Sequence, residues 1–190
     1  MEEDTGSTLA DKAVKRSGYP SAPAGARLGY EGRDCERCAL RAEGRQPALA
    51  VGEGALIHGS TVSVTGRGLL ILGRSGSGKS GLVLQLMAFG AELVADDQTR
   101  LVRQGNIVVA AAPETIRGCV EARGVGLLAA TAGKAVPLAL VVDLDRLEEA
   151  RLPEWRSHDV LGVAVPLLFR VDAPHFPAAL LQWLKAGRIA

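Results

Sequence analysis

The sequence predicts an α/β protein, and three observations point there. Short apolar runs bounded by glycine begin near Ala48, a glycine-rich loop follows the third run, and residues with apolar side chains at helical spacing follow the loop. Composition agrees. The 190 residues are 47% hydrophobic but only 4% aromatic, so the core has to be assembled from Leu, Val and Ala, and 23 glycines without a three-residue period supply the turns. That length fits one modest domain with a tail.

Taken in order, residues 1–48 mix Gly, Ser, Pro, Arg and Glu, with eight basic against eight acidic side chains. Such a segment buries too little apolar surface to offset its ordering entropy and is expected to be a disordered extension, leaving residues 49–190 as the folded domain. Residues 55–58, 61–64 and 69–72 read as strands. Gly59-Ser60 stands at hairpin spacing between the first two, and Gly66-Arg67-Gly68 between the second and third. Residues 81–90 form a helix with Leu82, Leu86 and Phe89 on one face and Gly90 as its stop. A buried strand at 93–95 ends on Asp96-Asp97. A strand pair, 99–103 and 107–111, turns at Gln104-Gly105-Asn106. Pro113 interrupts the pattern, 120–128 is punctuated by glycine, 138–142 is a core strand, and 174–186 is a terminal amphipathic helix.

A formal net charge of +1 creates no long-range field to gather nucleic acid or an anionic membrane. No apolar run approaches the roughly 18 residues that span a bilayer, and the start, Met1-Glu2-Glu3-Asp4, lacks the order of a secretory signal. A cytoplasmic protein is therefore expected, with no nucleic-acid or membrane partner. Cys35, Cys38 and Cys119 are too few for a disulfide framework and are expected to be reduced.

The strongest motif is Gly73-Arg74-Ser75-Gly76-Ser77-Gly78-Lys79-Ser80, which fits G-x-x-x-x-G-K-[ST] at every fixed position. A loop that wraps a polyphosphate needs glycines to turn successive N–H groups inward, a lysine for the β/γ oxygens and a hydroxyl for Mg²⁺. Gly76, Gly78, Lys79 and Ser80 supply these parts. The strand before the loop and the helix after it stand in the required order, and the helix start adds partial positive charge where phosphate lies. These residues predict binding of a nucleotide's phosphates with Mg²⁺. A loop that keeps the sequence and binds nothing is the alternative.

Asp96 and Asp97 are the nearest carboxylates, and strand alternation points them in different directions, so that one can serve metal or water and the other an acceptor hydroxyl. On their own they also read as a turn satisfied by local backbone hydrogen bonds. Glu121 and Arg123 share a face if 119–126 begins as a strand, placing a potential Mg²⁺ ligand beside a phosphate-binding guanidinium; a surface ion pair is the alternative. His58, at a strand end, is either structural or catalytic.

Together, His58-Gly59, the loop 73–80, Leu93-Val94-Ala95-Asp96-Asp97 and Glu121-Ala122-Arg123-Gly124-Val125-Gly126 resemble the C-terminal catalytic domain of HPr kinase/phosphorylase in order and approximate spacing. The resemblance covers roughly residues 48–186. It implies a P-loop NTPase-like α/β fold of the HPr kinase and PEP carboxykinase type: a mixed sheet, a helix after the phosphate loop and a C-terminal helix. It also implies a serine kinase that uses ATP and Mg²⁺ to phosphorylate the phosphocarrier HPr or an HPr-like protein in a homo-oligomer, with a phosphorylase activity, attack of phosphate on the phosphoserine, as a second reaction of the family. By position, Asp97 matches the family's acid/base, Lys79 its phosphate-binding lysine, Ser80 and Glu121 its metal ligands, and His58 the histidine beside the aspartate. Catalytic roles are thus expected for His58, Lys79 and Asp97.

Long members of the family carry a separate N-terminal domain. This chain has a polar extension there, similar to the truncated form of α-proteobacteria. Residues 166–174 do not align clearly with the arginine-containing, proline-rich loop associated with the phosphorylase reaction, so the kinase direction is the better matched one. A nucleotide-binding sensor or adaptor without phosphotransfer is the alternative function. Cys35-Glu36-Arg37-Cys38 has the spacing of half a zinc site or a redox pair but lacks a second ligand pair. Trp155 and Trp183 are expected to pack in the core, and His158 and His175 to lie on the surface.

Overall fold

The computed structural model describes residues 54–189. The extension expected over residues 1–48, the first residues of the domain expected over 49–190, and the Cys35–Cys38 pair lie outside the described residues.

Among the described residues, β1 (Gly54–His58), β2 (Ser60–Val64) and β3 (Arg67–Leu72) precede α1 (Lys79–Ala88). Then come β4 (Glu92–Ala95), β5 (Gln98–Gln104), β6 (Ile107–Ala111), a 3-10 turn, β7 (Cys119–Ala122), β8 (Gly126–Ala129) and β9 (Val136–Leu147). The fold closes with β10 (Arg156–Val160), β11 (Val163–Arg170) and α2 (Phe176–Ala186). Nine strands make one curled mixed sheet along the path β1-β5-β6-β9-β3-β2-β4, with β11 on β9 and β10 on β11; β7 and β8 form a separate hairpin.

The long strand β9 organises the sheet. Its first residues, Val136 and Pro137, pair antiparallel with β6, and the remainder pairs in parallel with β3 and with β11. Three parallel strands therefore end on the same edge, with the loop 73–80 at the end of β3. Both faces of this centre are covered, which is why β3 and β9 read as continuous apolar runs. Leu69, Ile71, Leu140 and Val142 meet Leu82, Val83 and Leu86 of α1 and Leu180 and Leu184 of α2. On the other face, Leu70 and Val141 meet Leu101, Val108, Ala110, Val165, Leu167 and Phe169. Each such fully buried aliphatic side chain contributes roughly 1.5–3 kcal/mol of transfer free energy.

Helix α1 ends as its sequence suggests. Gly90 takes φ 94°, and the N–H groups of Gly90 and Ala91 bond the carbonyls of Met87 and Leu86, the paired bonds of a Schellman stop. No described helix is long and apolar enough to cross a membrane.

Several expectations need correction. β1 does not form a hairpin with β2; it pairs with β5 over Gly54–His58, and Gly59 is held to that side by its N–H on the Asp97 carbonyl and by the Thr99 hydroxyl on its own carbonyl. Phe89 lies just past α1 and is 57% exposed, because the helix has already turned out of its regular geometry there. Trp155 is 62% exposed beneath the Arg188 guanidinium instead of packing in the core, whereas Trp183 does pack against it. His175 is exposed, but His158 is half-buried along β10. Arg123 is not on a strand with Glu121: β7 stops at Ala122, and Arg123 enters the turn closed by the Val125 N–H on the Ala122 carbonyl. Cys119 is disulfide-bonded, which corrects the reduced state expected for it.

Candidate functional site

The loop after β3 is shaped by close backbone approach. Gly73 has φ 149°, and a Cβ there would collide with Ser77 Oγ and crowd Leu144. The Ser77 N–H donates to the Arg74 carbonyl at 3.1 Å, and the Arg74 N–H donates to Asp145 Oδ2 at 2.9 Å. Gly78, at φ 99°, delivers the chain into α1 without a side-chain cap, and no acidic residue occupies the first turn. The helix's first N–H groups and positive dipole end are thus left for an anion.

Lys79 is buried, and its ammonium folds back onto the loop. Nζ donates to the carbonyls of Gly73 at 2.7 Å and Arg74 at 3.0 Å, and lies 2.9 Å from His58 Nε2. An ammonium can only donate, so Nε2 accepts and the ring proton sits on Nδ1, which faces Asp97 Oδ1 at 3.2 Å. The His58 and Asp97 side chains are 48% and 69% exposed, open to an incoming group.

Asp96 points the other way and is buried. Its Oδ1 accepts from Ser60 Oγ at 2.6 Å and Ser80 Oγ at 3.1 Å, and its Oδ2 accepts the Glu121 N–H at 3.1 Å. The adjacent carboxylates thus face different surroundings, but β4 ends at Ala95, so the turn and not strand alternation sets their directions. The Gln98 N–H bonds the Asp96 carbonyl at 2.8 Å, closing a tight turn in which Asp97 adopts φ 67°. The Glu121 side chain is exposed while its backbone is tied to Asp96, so β7 is anchored at the loop. Arg123, Gly124 and Val125 are exposed beyond it.

His58, Lys79, Ser80, Asp96 and Asp97 therefore meet, Glu121 is tied to them through its backbone N–H, and Arg123 lies outside the group. His58 comes from the end of β1, Lys79 and Ser80 from the start of α1, Asp96 and Asp97 from the turn after β4, and Glu121 from β7. Three contributors escaped the sequence reading. Ser60 was visible only as a hydroxyl in a run, Ser60-Thr61-Val62-Ser63, whose hydroxyl residues are all buried. Asp145 lies at the far end of an apolar strand. Arg170 ends β11, a strand that Pro166 disguises. Near that strand, the Arg156 guanidinium beside Glu148 holds its carboxyl below the usual carboxylate range.

A model of the family described as "HPr Serine kinase C-terminal domain" matches residues 50–154 of the chain. The chain belongs to this family. The HPr serine kinase match contains His58, the loop, both aspartates and Glu121, and it stops before β10, β11 and α2. An HPr kinase/phosphorylase of Chloroherpeton thalassium is 37% identical over 133 residues, covering 63% of this chain and 38% of that protein. Another, of Leptothrix cholodnii, is 36% identical over 140 residues, covering 66% and 43%. The chain thus spans about two fifths of the length of these HPr kinase relatives. The solved structure of the HPr(Ser) kinase/phosphatase from Coxiella burnetii matches with a TM-score of 0.57 at 22% identity, covering 69% of this chain and 94% of that one. The P-loop NTPase-like α/β fold is accordingly that of the HPr kinase family.

Proposed function

We propose that this protein is an ATP-dependent serine kinase whose acceptor is HPr or an HPr-like phosphocarrier, acting in the regulation of a phosphotransferase system. The observation that carries the reading is the run Lys79–His58–Asp97 at the mouth of the phosphate loop, beside the Ser80–Asp96 pair.

The residues divide the work. Amides of the loop 73–80 and the start of α1 bind the phosphates, and Lys79 exchanges its loop carbonyls for β/γ oxygens. Asp97 takes the proton from the acceptor serine hydroxyl as its oxygen bonds to the γ-phosphorus and the bond to the ADP oxygen breaks. His58 orients Asp97 through its Nδ1–H. Mg²⁺ fits the donor set: the Ser80 hydroxyl and an Asp96 oxygen lie 3.1 Å apart. Ser80, Asp96 and Glu121 would hold the ion, and its chemistry would be the neutralisation of charge on the phosphates. Phosphoryl transfer depends mainly on such positioning and charge neutralisation.

A phosphorylase step would use the same groups: an oxygen of inorganic phosphate bonds to the phosphoserine phosphorus, the bond to the serine oxygen breaks, Asp97 returns the proton to that oxygen, and pyrophosphate leaves. We place the protein in the cytoplasm as a homo-oligomer, in keeping with the HPr kinase reading.

The test is to incubate the purified chain with MgATP and HPr and read the acceptor by mass spectrometry. One phosphoryl group on one serine supports the proposal. Nucleotide binding with no transfer to HPr would favour the sensor reading instead.

A further inference from the structure

Strand β9 runs on past the end of its neighbour. Leu72, the last residue of β3, pairs with Asp143, and β9 continues from there to Leu147. Leu140, Val142 and Leu144 belong to the core shared with α1, so Asp143 and Asp145 stand on the alternate face, beside the first residues of the phosphate loop. The Asp145 N–H donates to Asp143 Oδ1 at 2.9 Å, which fixes the backbone at this end of the strand.

The two segments come close. A Cβ at Gly73 would stand 3.2 Å from Leu144 Cβ, and the approach that its absence allows brings the Arg74 N–H to Asp145 Oδ2 at 2.9 Å. The other oxygen of that carboxylate, Oδ1, lies 3.8 Å from Arg74 Nε. Asp145 therefore holds both the backbone and the side chain of Arg74.

The consequence lies on the other side of the same peptide. The Arg74 N–H and the Gly73 carbonyl belong to one planar trans unit, so they point in opposite directions. The N–H meets the Asp145 carboxylate, and the carbonyl accepts from Lys79 Nζ at 2.7 Å. The peptide dipole thus lies between an anion and a cation, positive end to Asp145 and negative end to Lys79, and both of its hydrogen bonds are charge-assisted. Turned over, the unit would set a carbonyl against a carboxylate and an N–H against an ammonium. Glycine at position 73 offers little intrinsic resistance to such a turn, because its backbone is the least restricted of any residue. The carboxylate supplies that resistance.

We propose that Asp145 is a positioning residue for phosphoryl transfer: it locks the Gly73–Arg74 peptide, and the locked carbonyl sets where the Lys79 ammonium rests before it turns to the phosphates. This rests on the reading of Lys79 as the phosphate-binding lysine of a kinase. Asp145 acts through Arg74 and Lys79. Its side chain is 40% exposed on a polar recess that it shares with Arg74 and Arg170, so replacing it removes no core packing.

Two variants of the full chain test the lock. Asp145→Asn keeps an oxygen that can accept the Arg74 N–H, whereas Asp145→Ala keeps none. Amine acylation read by mass spectrometry follows Lys79 directly, without nucleotide. Labelling of Lys79 should rise at least about threefold in Asp145→Ala, the scale of one net hydrogen bond, and stay within about twofold of wild type in Asp145→Asn. Lys134 and Lys185 should label at wild-type rates in both. In phosphotransfer from MgATP to HPr, Asp145→Ala should lose at least about tenfold in kcat with KM for MgATP within about threefold, and Asp145→Asn should recover most of that loss. Unchanged Lys79 labelling or unchanged kcat in Asp145→Ala, or equal effects in the two variants, overturns the proposal. So does a KM that rises while kcat holds, because ground-state binding and not the placing of Lys79 would then be lost. A wild type that transfers nothing to HPr overturns the kinase reading alone, and the labelling still decides whether Asp145 places Lys79. Should Asp145→Ala not fold, hydrogen exchange of the Arg74 amide in the wild type decides. Slowing of at least about tenfold supports the lock, and exchange at the rate of a free peptide rejects it.

Discussion

The Lys79 ammonium stands 2.9 Å from His58 Nε2, so the loop's only lysine is tied to the histidine that faces Asp97. Its remaining donors are spent on the Gly73 and Arg74 carbonyls. Phosphate binding and the orientation of the candidate base are therefore coupled through one side chain: when Lys79 turns to a phosphate oxygen, Nε2 is released while Nδ1–H still holds Asp97. Lys79→Ala removes the charge facing the β/γ oxygens. Turnover should fall by at least about a hundredfold, the scale seen when one preorganised transition-state contact is lost. The far-UV circular dichroism spectrum should be unchanged. A near-normal rate in steady-state phosphotransfer would show that ATP does not react in this loop.

Asp97 combines a chemical role with an unfavourable backbone. At φ 67° it sits where side chains cost about 1–2 kcal/mol and glycine costs little. Asp97→Ala and Asp97→Gly should both abolish transfer to the acceptor serine, because both remove the base. They should differ in stability, with the glycine variant more stable than the alanine variant by about 1 kcal/mol in urea denaturation. Equal stability would mean that the turn relaxes out of the left-handed region. Residual transfer at wild-type rate in either would remove Asp97 from the chemistry.

Asp96 differs from its neighbour in being surrounded by donors. Two hydroxyls and one backbone N–H converge on its carboxylate. In Asp96→Asn, one amide oxygen can still accept from the hydroxyls, but the amide nitrogen then faces the Glu121 N–H, donor against donor. The cost should be about 1–3 kcal/mol of stability, measured by chemical denaturation. Nucleotide affinity should also lose its dependence on Mg²⁺ in calorimetry. Full retention of that dependence would place the metal elsewhere.

How much of this was legible in the sequence follows from range. The strand–loop–helix unit at 69–90 is local: glycine spacing, Lys79-Ser80 and the Leu82/Leu86 period are all contiguous, and the structure keeps them. Asp96 and Asp97 do face different ways as expected, but β4 ends at Ala95 and the left-handed turn at Asp97, not strand alternation, separates them. What failed was long-range. Nothing in Gly59-Ser60 says that β1 will cross to β5, because the bonds responsible come from Asp97 and Thr99. β10 and β11 were missed because Arg156–Val160 is mostly polar and Pro166 interrupts the apolar pattern. Pro166 is tolerated opposite Ser157 in a strand that also pairs in parallel with β9 through Leu167–Phe169. With those strands hidden, Arg170 had no signal.

Glu148 offers a test of that hidden edge. Its N–H donates to the Arg170 carbonyl at 2.8 Å, and its carboxylate is bound by the Arg156 guanidinium, which also lies over the Phe169 ring. The hydrogen bond from Arg156 is the largest cause of its lowered pKa, and partial burial opposes it. A carboxyl with a depressed folded-state pKa contributes stability above its unfolded value and loses it as pH falls through the folded value. Glu148→Gln should therefore cost about 0.5–1 kcal/mol near neutrality, the scale of a partly solvated ion pair. The gap between wild type and variant should close as the pH drops below the ordinary carboxylate range. Urea denaturation across that range measures it. Stability curves that stay parallel down to full protonation would show that the Arg156 contact contributes nothing through its charge, leaving the backbone bond to Arg170 to hold the end of β11.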